Sequence, residues 1–533
     1  MNALDEQKLS QLSPFEIKNT LLTLASSQSD IALIDAGRGN PNWVATLPRE
    51  AFFQLGLFAL SEANLKFKNY DNFGGTADKL GIFQRLQQFC FKTENQNNHG
   101  LTFLLNAIDY LKTNQAINPD EIVFEWTNGV LGDDYPVPDR MLKHAECIIQ
   151  QYLSSALCDN QNTLPQSPFD LFAVEGGTAA IVYIFNTLKS NRLLCAGDSI
   201  AIATPIFTPY IEIPDLEDYA LNRIEIEASE DLIWQISDTE LNKLLDPNIR
   251  AFFVTNPSNP PSVKLSDETL TKIANIVKQR PDLIIITDDV YGTFADNFTS
   301  LAMIVPHNTI LVYSFSKYFG ATGWRLGVIG IQPDNILDEL LRKQSNEVKH
   351  TLFERYKNIN LDPNSMKFID RLVSDSRAVA LNHTAGLSTP QQIQMSLFAV
   401  FSLMDNEQQY KQDAKNIIRD RYHHLMEHMK GTPVVAEDNP NGVFYYVEID
   451  IARIANELYG EKFLTWLTKT YNALDFVVRL AQENAIIVML GAGFDAPQWS
   501  IRISLANLDN EKYDTLMDNI NNMVMSYHDE FNG

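Results

Sequence analysis

Lys317 is the residue with the most chemical potential in this chain, and its neighbours say what kind. Ser314 and Ser316 precede it, and Arg325 follows among Gly320, Gly323 and Gly327. An apolar run at 309–313 leads in and reads as a buried strand. A lysine at the mouth of such a strand is placed to be desolvated and to act as a neutral amine. That is the state that forms an imine with an aldehyde. Hydroxyls and an arginine beside it suit a phosphate. The two features together describe a ligand that is both an aldehyde and a phosphate ester. The plainer alternative is a surface lysine that follows a core strand.

Other segments repeat the arrangement of an apolar strand ending on a polar turn. Residues 171–174 run into Gly176-Gly177-Thr178 and then an apolar helix. Glycines at a helix start expose backbone N–H groups where the macrodipole favours an anion. Residues 198–204 end at Pro205, with Phe207 beyond it, a ring that reads equally well as core. Residues 251–255 end at Asn256-Pro257-Ser258-Asn259-Pro260. Residues 283–287 carry into Asp288, with Tyr291 following; a buried aspartate there is costly unless it is paired. Asp289 is the rival carboxylate, but on an extended strand it points to the opposite face. Residues 31–36 end in Gly37-Arg38-Gly39, where the glycines allow close backbone approach and leave the arginine fork free. No G-x-G-x-x-G follows, which argues against a dinucleotide loop. Arg502 lies in the otherwise apolar run 499–506 and needs an anion.

In chain order, Gly176-Gly177-Thr178, Pro205-x-Phe207, Asn259-Pro260, Asp288-x-x-Tyr291 and Ser314-x-Ser316-Lys317 with Arg325 resemble the aspartate aminotransferase superfamily, the fold type I enzymes. The resemblance spans about residues 37–507, with insertions. It implies an α/β fold with a large domain, a mixed and mostly parallel sheet between helices, plus a smaller α+β domain. It implies pyridoxal 5'-phosphate as cofactor, joined to Lys317, its phosphate held by Gly176, Gly177, Thr178, Ser314, Ser316 and Arg325. Phe207 would stack on the pyridine, Asn259 and Tyr291 would meet the 3'-oxygen, and Asp288 the ring nitrogen. Pro261-Ser262 replaces the Thr-Gly usual after the second Asn-Pro. Arg502 would take the substrate α-carboxylate, with Asn259 beside it. In this family a tyrosine from a neighbouring subunit reaches the phosphate. Tyr135 matches that role by position, and Tyr70 is its rival. A homodimer is then the minimum unit.

An arginine between Gly37 and Gly39 departs from the ordinary aminotransferase pattern. With residues 134–140, an insertion after Gly75 and the overall length, it resembles the branch of the superfamily that β-decarboxylates L-aspartate. That resemblance implies conversion of L-aspartate to L-alanine and CO2, an aminotransferase side activity with a 2-oxo acid, and a homo-oligomer larger than a dimer. Arg38 is then expected to join Lys317 in catalysis, positioning the substrate and the departing carboxylate, with Lys18 as a helper. The alternative is an ordinary aspartate or aromatic amino-acid aminotransferase. A cofactor-binding transcription regulator would carry a basic winged-helix segment ahead of the domain, and residues 1–30 are too short and too acidic for one.

Composition bounds the rest. A chain of 533 residues exceeds one ordinary core. We divide it as 1–60, an N-terminal arm and part of the small domain; 61–135, a helical insertion and lead-in; 136–410, the large cofactor-binding domain; and 411–533, the C-terminal small domain. A formal net charge of -25 argues against nucleic acid or an anionic membrane surface as partners. Cys90, Cys147, Cys158 and Cys195 are scattered, without a C-x-x-C, so neither a disulfide framework nor a thiolate metal site is expected. His423, His424 and His428 lie at helical spacing but lack a supporting carboxylate motif, so they read as a solvated face and no metal is expected. No apolar stretch is long enough to cross a membrane, and residues 1–30 show no basic lead before an apolar run, so a cytoplasmic location is expected. Within the insertion, residues 82–111 suggest two amphipathic helices around a polar linker at 93–100, forming an assembly surface. Residues 135–140 are expected to open a helix running to about 157, and 344–380 reads as charged and helical. Thr384 and Ser388-Thr389-Pro390 precede a helix at 391–403, where the family has a polar residue that reaches the partner's site.

Overall fold

Strands in this chain are short and almost wholly apolar, and each gives way to a turn rich in Gly, Pro or Asn before an amphipathic helix. The computed structural model describes residues 9, 12–26, 31–92, 97–159, 167–216, 218–377 and 386–533. The chain forms two compact units. One comprises Met1–Asn42, Cys195–Phe298 and Lys411–Gly533; the other comprises Trp43–Leu194 and Thr299–Tyr410.

In the first unit the strands Ile284–Asp288, Ile249–Thr255, Ser199–Thr204 and Asn222–Ser229 lie side by side in that order, all parallel, and Gln235–Ile236 adds antiparallel to the last. The inner strands are buried on both faces: Ile200, Ile202, Phe252, Phe253, Ile285 and Ile286 have no exposed surface. This is why they read as continuous apolar runs instead of alternating ones. Parallel pairing has a second consequence. The C-terminal ends of these strands share one edge, so the turns bearing Phe207, Asn259 and Asp288 leave the sheet on the same side. The same unit holds an antiparallel sheet in the order Tyr446–Asp450, Ser500–Ser504, Met489–Leu490. It also holds a short parallel pair, Ile34–Asp35 with Ile486–Ile487. The expected strand at 485–490 is thus split between two sheets. Backbone bonds from Ser504 N to Ala36 O (2.8 Å) and from Asn42 N to Ala506 O (2.8 Å) lay the 36–42 loop along the Arg502 strand.

In the second unit Asp170–Val174, Gly327–Ile331 and Thr309–Ser314 pair antiparallel, with Gly327–Ile331 in the middle. Helix Gly177–Ser190 follows the first of them. Helices Thr46–Ala63, His99–Gln115, Pro119–Leu131, Lys143–Ala156 and Thr389–Met404 pack on one another around Trp126, Leu104, Leu153 and Phe398, none of which is exposed.

Several local expectations need correcting. The insertion carries a third helix, Pro119–Leu131, capped by the Asn118 side chain and closed by Gly132 in the left-handed region. The helix His99–Gln115 is capped by Asn98, so Gly100 belongs to it and not to a linker; residues 93–96 lie outside the described residues. Residues 135–140 do not open a helix, which instead runs Lys143–Ala156. Its start is set from a distance: the Glu125 carboxylate accepts the His144 and Ala145 N–H groups, both at 3.0 Å. The charged stretch after 344 divides into Asn346–Tyr356 and Phe368–Ser376. The helix expected at 391–403 begins at Thr389, with Ser388 and Gln391 forming a reciprocal cap; Thr384 lies outside the described residues. His423, His424 and His428 lie on helix Gln409–His428 beside Glu427, Glu437, Asp514 and Asp518. Among the described residues no cluster of His, Cys, Asp or Glu is arranged to hold a metal, and no helix is long and apolar enough to cross a membrane.

Candidate active site

In the second unit the strand Thr309–Ser314 delivers its two hydroxyls together: Ser314 Oγ lies 3.0 Å from Ser316 Oγ and 3.2 Å from Leu326 O. Lys317 follows, half-buried. Arg325, exposed and at φ 57°, curls back so that Nη1 donates to Thr322 O (3.0 Å) and Nη2 to Glu175 O (3.3 Å). That places its guanidinium against Gly176. A Cβ on Gly176 would lie 2.5 Å from Arg325 Nη2, and the backbone there has φ 90°, so only glycine fits. Helix Gly177–Ser190 then starts without a side-chain cap, which leaves the N–H groups of its first turn, Thr178 among them, for an external anion. Glu175 braces this turn: its carboxylate accepts from Gly386 N (3.0 Å) and Tyr183 OH (3.1 Å). The structure thus brings Gly176, Gly177, Thr178 and Arg325 to one turn, and Ser314 and Ser316 to the end of a strand of the same unit. It does not bring Tyr135 or Tyr70 there. Both are exposed, at 59% and 65%, and Tyr70 packs edge-on against Phe73.

The first unit carries a second set. Asp288 is buried at the end of its strand, where Tyr210 OH approaches Oδ2 at 3.4 Å and Val290 N donates to Oδ1 at 3.3 Å. Tyr210 is fully buried, and burial next to Asp288 holds its hydroxyl protonated well beyond the usual range, so it serves Asp288 as a donor. Asp289 turns away to take the Thr287 hydroxyl at 2.6 Å, which leaves Asp288 as the carboxylate at the turn. Phe207 is half-buried, edge-on to Phe15 at 6.3 Å. Tyr291 OH donates to Tyr446 OH at 3.1 Å, and burial together with Tyr446 and Tyr445 keeps the Tyr291 phenol protonated.

Arg502 is 3% exposed, its guanidinium between the rings of Tyr446 (4.4 Å) and Phe494 (4.6 Å). Nη1 donates to Asn259 Oδ1 (3.4 Å) and Nη2 to Gly37 O (3.0 Å). Among the described residues no carboxylate lies within 4.0 Å of it; its charge is held by the two rings, by carbonyl groups and by the Met489 sulfur, to which Nη2 donates at 2.8 Å. Gly37 is the meeting point of further cations. A Cβ there would meet Lys18 Cε at 3.2 Å, Met489 Cγ at 3.3 Å and Asp35 Oδ1 at 3.4 Å. Arg38 Nε and Lys18 Nζ reach Asp35 Oδ2 at 3.0 and 3.5 Å. Burial is the main cause of a lowered pKa for Lys18, with Asp35 opposing and Arg38 and Arg502 adding to the fall.

Tyr210, Glu175, Tyr446 and Asp35 escape sequence reasoning. Tyr210 carries a faint signal, since it lies one helical turn beyond Phe207, while Asp35 and Tyr446 read as ordinary members of mixed strands. The second unit's set suits a phosphate with an amine nearby in sequence. The first unit's set suits a basic ring nitrogen, at Asp288, and a dicarboxylate, at Arg502 with Arg38 and Lys18.

Comparison with known proteins places the chain among its relatives. Residues 138–520 match the family described as "Aminotransferase class I and II". Over 511 residues, 96% of this chain and 95% of the other, the sequence is 48% identical to the bifunctional aspartate aminotransferase and L-aspartate beta-decarboxylase of a Pseudomonas species. It is 28% identical over 177 residues to the aspartate/prephenate aminotransferase of Nitrosomonas europaea, covering 32% of this chain and 43% of that one. In fold it resembles a single mutant of Thermus thermophilus aspartate aminotransferase, with a TM-score of 0.61 and 16% identity, covering 96% of this chain and 97% of that one.

Proposed function

Because the chain belongs to the class I and II aminotransferase family, we propose that it converts L-aspartate to L-alanine and CO2, with aspartate aminotransferase activity as its second outcome. The cofactor is pyridoxal 5'-phosphate, as in the aspartate aminotransferases whose fold this chain has. The observation that carries a dicarboxylate substrate is the cation set at Gly37: Arg502 for one carboxylate, and Arg38 with Lys18 for another. The full-length likeness to a bifunctional enzyme supports the decarboxylase reading.

When bound, pyridoxal phosphate supplies the electron sink that lets charge form on the carbon beside the amine and lets the side-chain carboxylate leave as CO2. Lys317 Nζ would hold the cofactor and, as a free amine, would serve as the base for the substrate's Cα proton. Asp288, kept an acceptor by the Tyr210 hydroxyl, would hold a proton at the ring nitrogen. Tyr291 and Asn259 would meet the 3'-oxygen, and Phe207 would lie against the ring. The first turn of helix Gly177–Ser190, Ser314, Ser316 and Arg325 take the phosphate. Arg502 binds the α-carboxylate by its fork. Arg38 and Lys18 orient the β-carboxylate without gripping it so hard that it cannot lose its charge.

The working unit is a homo-oligomer, in which Tyr135 or Tyr70 of one copy reaches the phosphate of another. The exposure of both tyrosines in the single chain supports this reading. A cytoplasmic location fits the same picture.

Purified protein supplied with pyridoxal phosphate and L-aspartate, and no 2-oxo acid, should release alanine and CO2 in equal amounts. Aspartate that turns over only when a 2-oxo acid is added would instead assign an ordinary aminotransferase.

A further inference from the structure

Asp35 sits between the two cations assigned to the substrate's distal carboxylate. Its Oδ2 is 3.0 Å from Arg38 Nε and 3.5 Å from Lys18 Nζ. The carboxylate cannot easily swing away. Oδ1 accepts from Gly37 N at 3.1 Å, the backbone O accepts from Asn507 Nδ2 at 2.6 Å, and residues 34–35 are paired to Ile486 and Ile487. Two cations and one fixed anion leave one net positive charge for an incoming carboxylate. Arg502, by contrast, has no carboxylate within reach among the described residues. The two ends of a dicarboxylate therefore meet different environments: an undiluted arginine at one end, a half-neutralised pair at the other.

We propose that Asp35 is a positioning residue that weakens the hold of Lys18 and Arg38 on the distal carboxylate, and so sets the partition between CO2 release and amino transfer. This rests on the reading of Arg38 and Lys18 given above. The physical reason is differential binding. A carboxylate leaving as CO2 gives up its charge, so every contact that stabilises it as an anion is lost on the way to the transition state and raises the barrier. Amino transfer leaves that carboxylate intact and is indifferent to the same contact. An unopposed Lys18–Arg38 pair would bind aspartate more tightly and decarboxylate it more slowly. Asp35 also acts on Lys18 itself. The charged groups around that ammonium are Asp35, Arg38 and Arg502, and of these only Asp35 favours its charge.

Asp35→Asn keeps the shape and can still accept from Gly37 N. In the holoenzyme at pH 6.5, calorimetric titration with maleate, a dicarboxylate that cannot react, should show about fivefold tighter binding than in the parent, on the order of the change expected from removing one screened charge. The ratio of alanine to oxaloacetate formed from aspartate should fall by about the same factor. The pH at which maleate binding weakens on the alkaline side should move down, because Lys18 loses its one supporting anion. Asp35→Glu should restore the parent ratio. If Asp35→Asn fails to fold, Asp35→Ser removes the same charge and is read the same way. Maleate affinity that is unchanged or weaker, or an unchanged alkaline limb, would overturn the proposal, as would a product ratio that does not fall. A parent enzyme that makes no alanine would sink the decarboxylase reading instead, while the maleate titration would still decide what Asp35 does.

Discussion

Arg502 is the side chain whose replacement should be most informative. It is buried, stacked between two rings, and aims a fork at a carbonyl and an amide. Lysine keeps the charge but loses the plane and the second donor. Arg502→Lys should therefore raise the KM for aspartate on the order of 100-fold, about one charge-assisted hydrogen bond's worth. The visible absorbance of the bound cofactor should stay as in the parent, and its loss would show that Arg502 holds the fold instead of the substrate. Arg38→Ala removes the alignment of the distal carboxylate along with its charge partner, and the lost alignment should outweigh the eased release, so CO2 release should fall more than amino transfer, measured as alanine against oxaloacetate; equal losses would place Arg38 in general binding. Residues such as Lys317, Asp288 and Arg502 are legible in the sequence because each interrupts or ends an apolar strand, where a charge is too costly to be accidental. Tyr210 is not legible, because a buried tyrosine looks the same whether its hydroxyl serves a carboxylate or merely finds a partner. Asp35 is hidden for a related reason: its meaning comes from Lys18 and Arg38, and only the pairing of residues 34–35 with 486–487 fixes the carboxylate in reach of both.

Strand ends are the readable elements and some helix starts are not, and both have physical causes. A fully buried strand announces itself by composition, and its turn by Gly, Pro and Asn. Gly176 is the strongest case, since a side chain there would need both a left-handed backbone and the space that Arg325 fills. Gly176→Ala should weaken binding of pyridoxal phosphate, followed by absorbance titration, by at least about tenfold, with the two causes of about 1 kcal/mol each acting together. A normal affinity would mean that Arg325 and the helix start do not form the phosphate cradle. Helix Lys143–Ala156 could not be placed from Pro136 and Pro138, because its cap is Glu125, a residue of the preceding helix. Burial pushes the Glu125 carboxyl up to about 7. A carboxyl that binds its proton more tightly when folded adds stability that is complete below its unfolded pKa, near 4.5, and is lost as pH rises through about 7. Stability of the parent, read by thermal unfolding, should therefore fall between about pH 5 and 8, by at most about 3 kcal/mol, and Glu125→Gln should flatten that dependence. A dependence that survives the substitution would assign it to other groups.

A net charge of -25 works against self-association, so any assembly must be held by apolar surface that outweighs the repulsion. Helix Thr46–Ala63 offers it. One side of the helix is buried through Ala51, Leu55, Phe58 and Ala59, yet the opposite side is apolar too, with Phe53, Leu57 and Leu60 exposed at 60%, 54% and 53%. A helix apolar on both sides is stable in water only when both sides are covered. The same unit continues with Leu65, Phe67, Tyr70 and Phe73, all more than half exposed in the single chain. The sequence does not separate these positions from core residues, because both are simply apolar; their exposure is visible only once the helix is folded. We expect this face to bind a second copy of the chain, which would also carry Tyr70 or Tyr135 toward its partner's phosphate. Leu57→Asp puts a charge at its centre. By light scattering on a sizing column the parent should exceed the 60.3 kDa of one chain, and the variant should fall toward that mass. Affinity for pyridoxal phosphate should drop with it, since the partner's tyrosine is lost, while circular dichroism stays unchanged. Salt separates an apolar interface from an ionic one: at about 1 M the repulsion is screened, so the parent assembly should hold or tighten. A variant that keeps the parent's mass, or a parent that dissociates in salt, would move the interface to a different and more polar face.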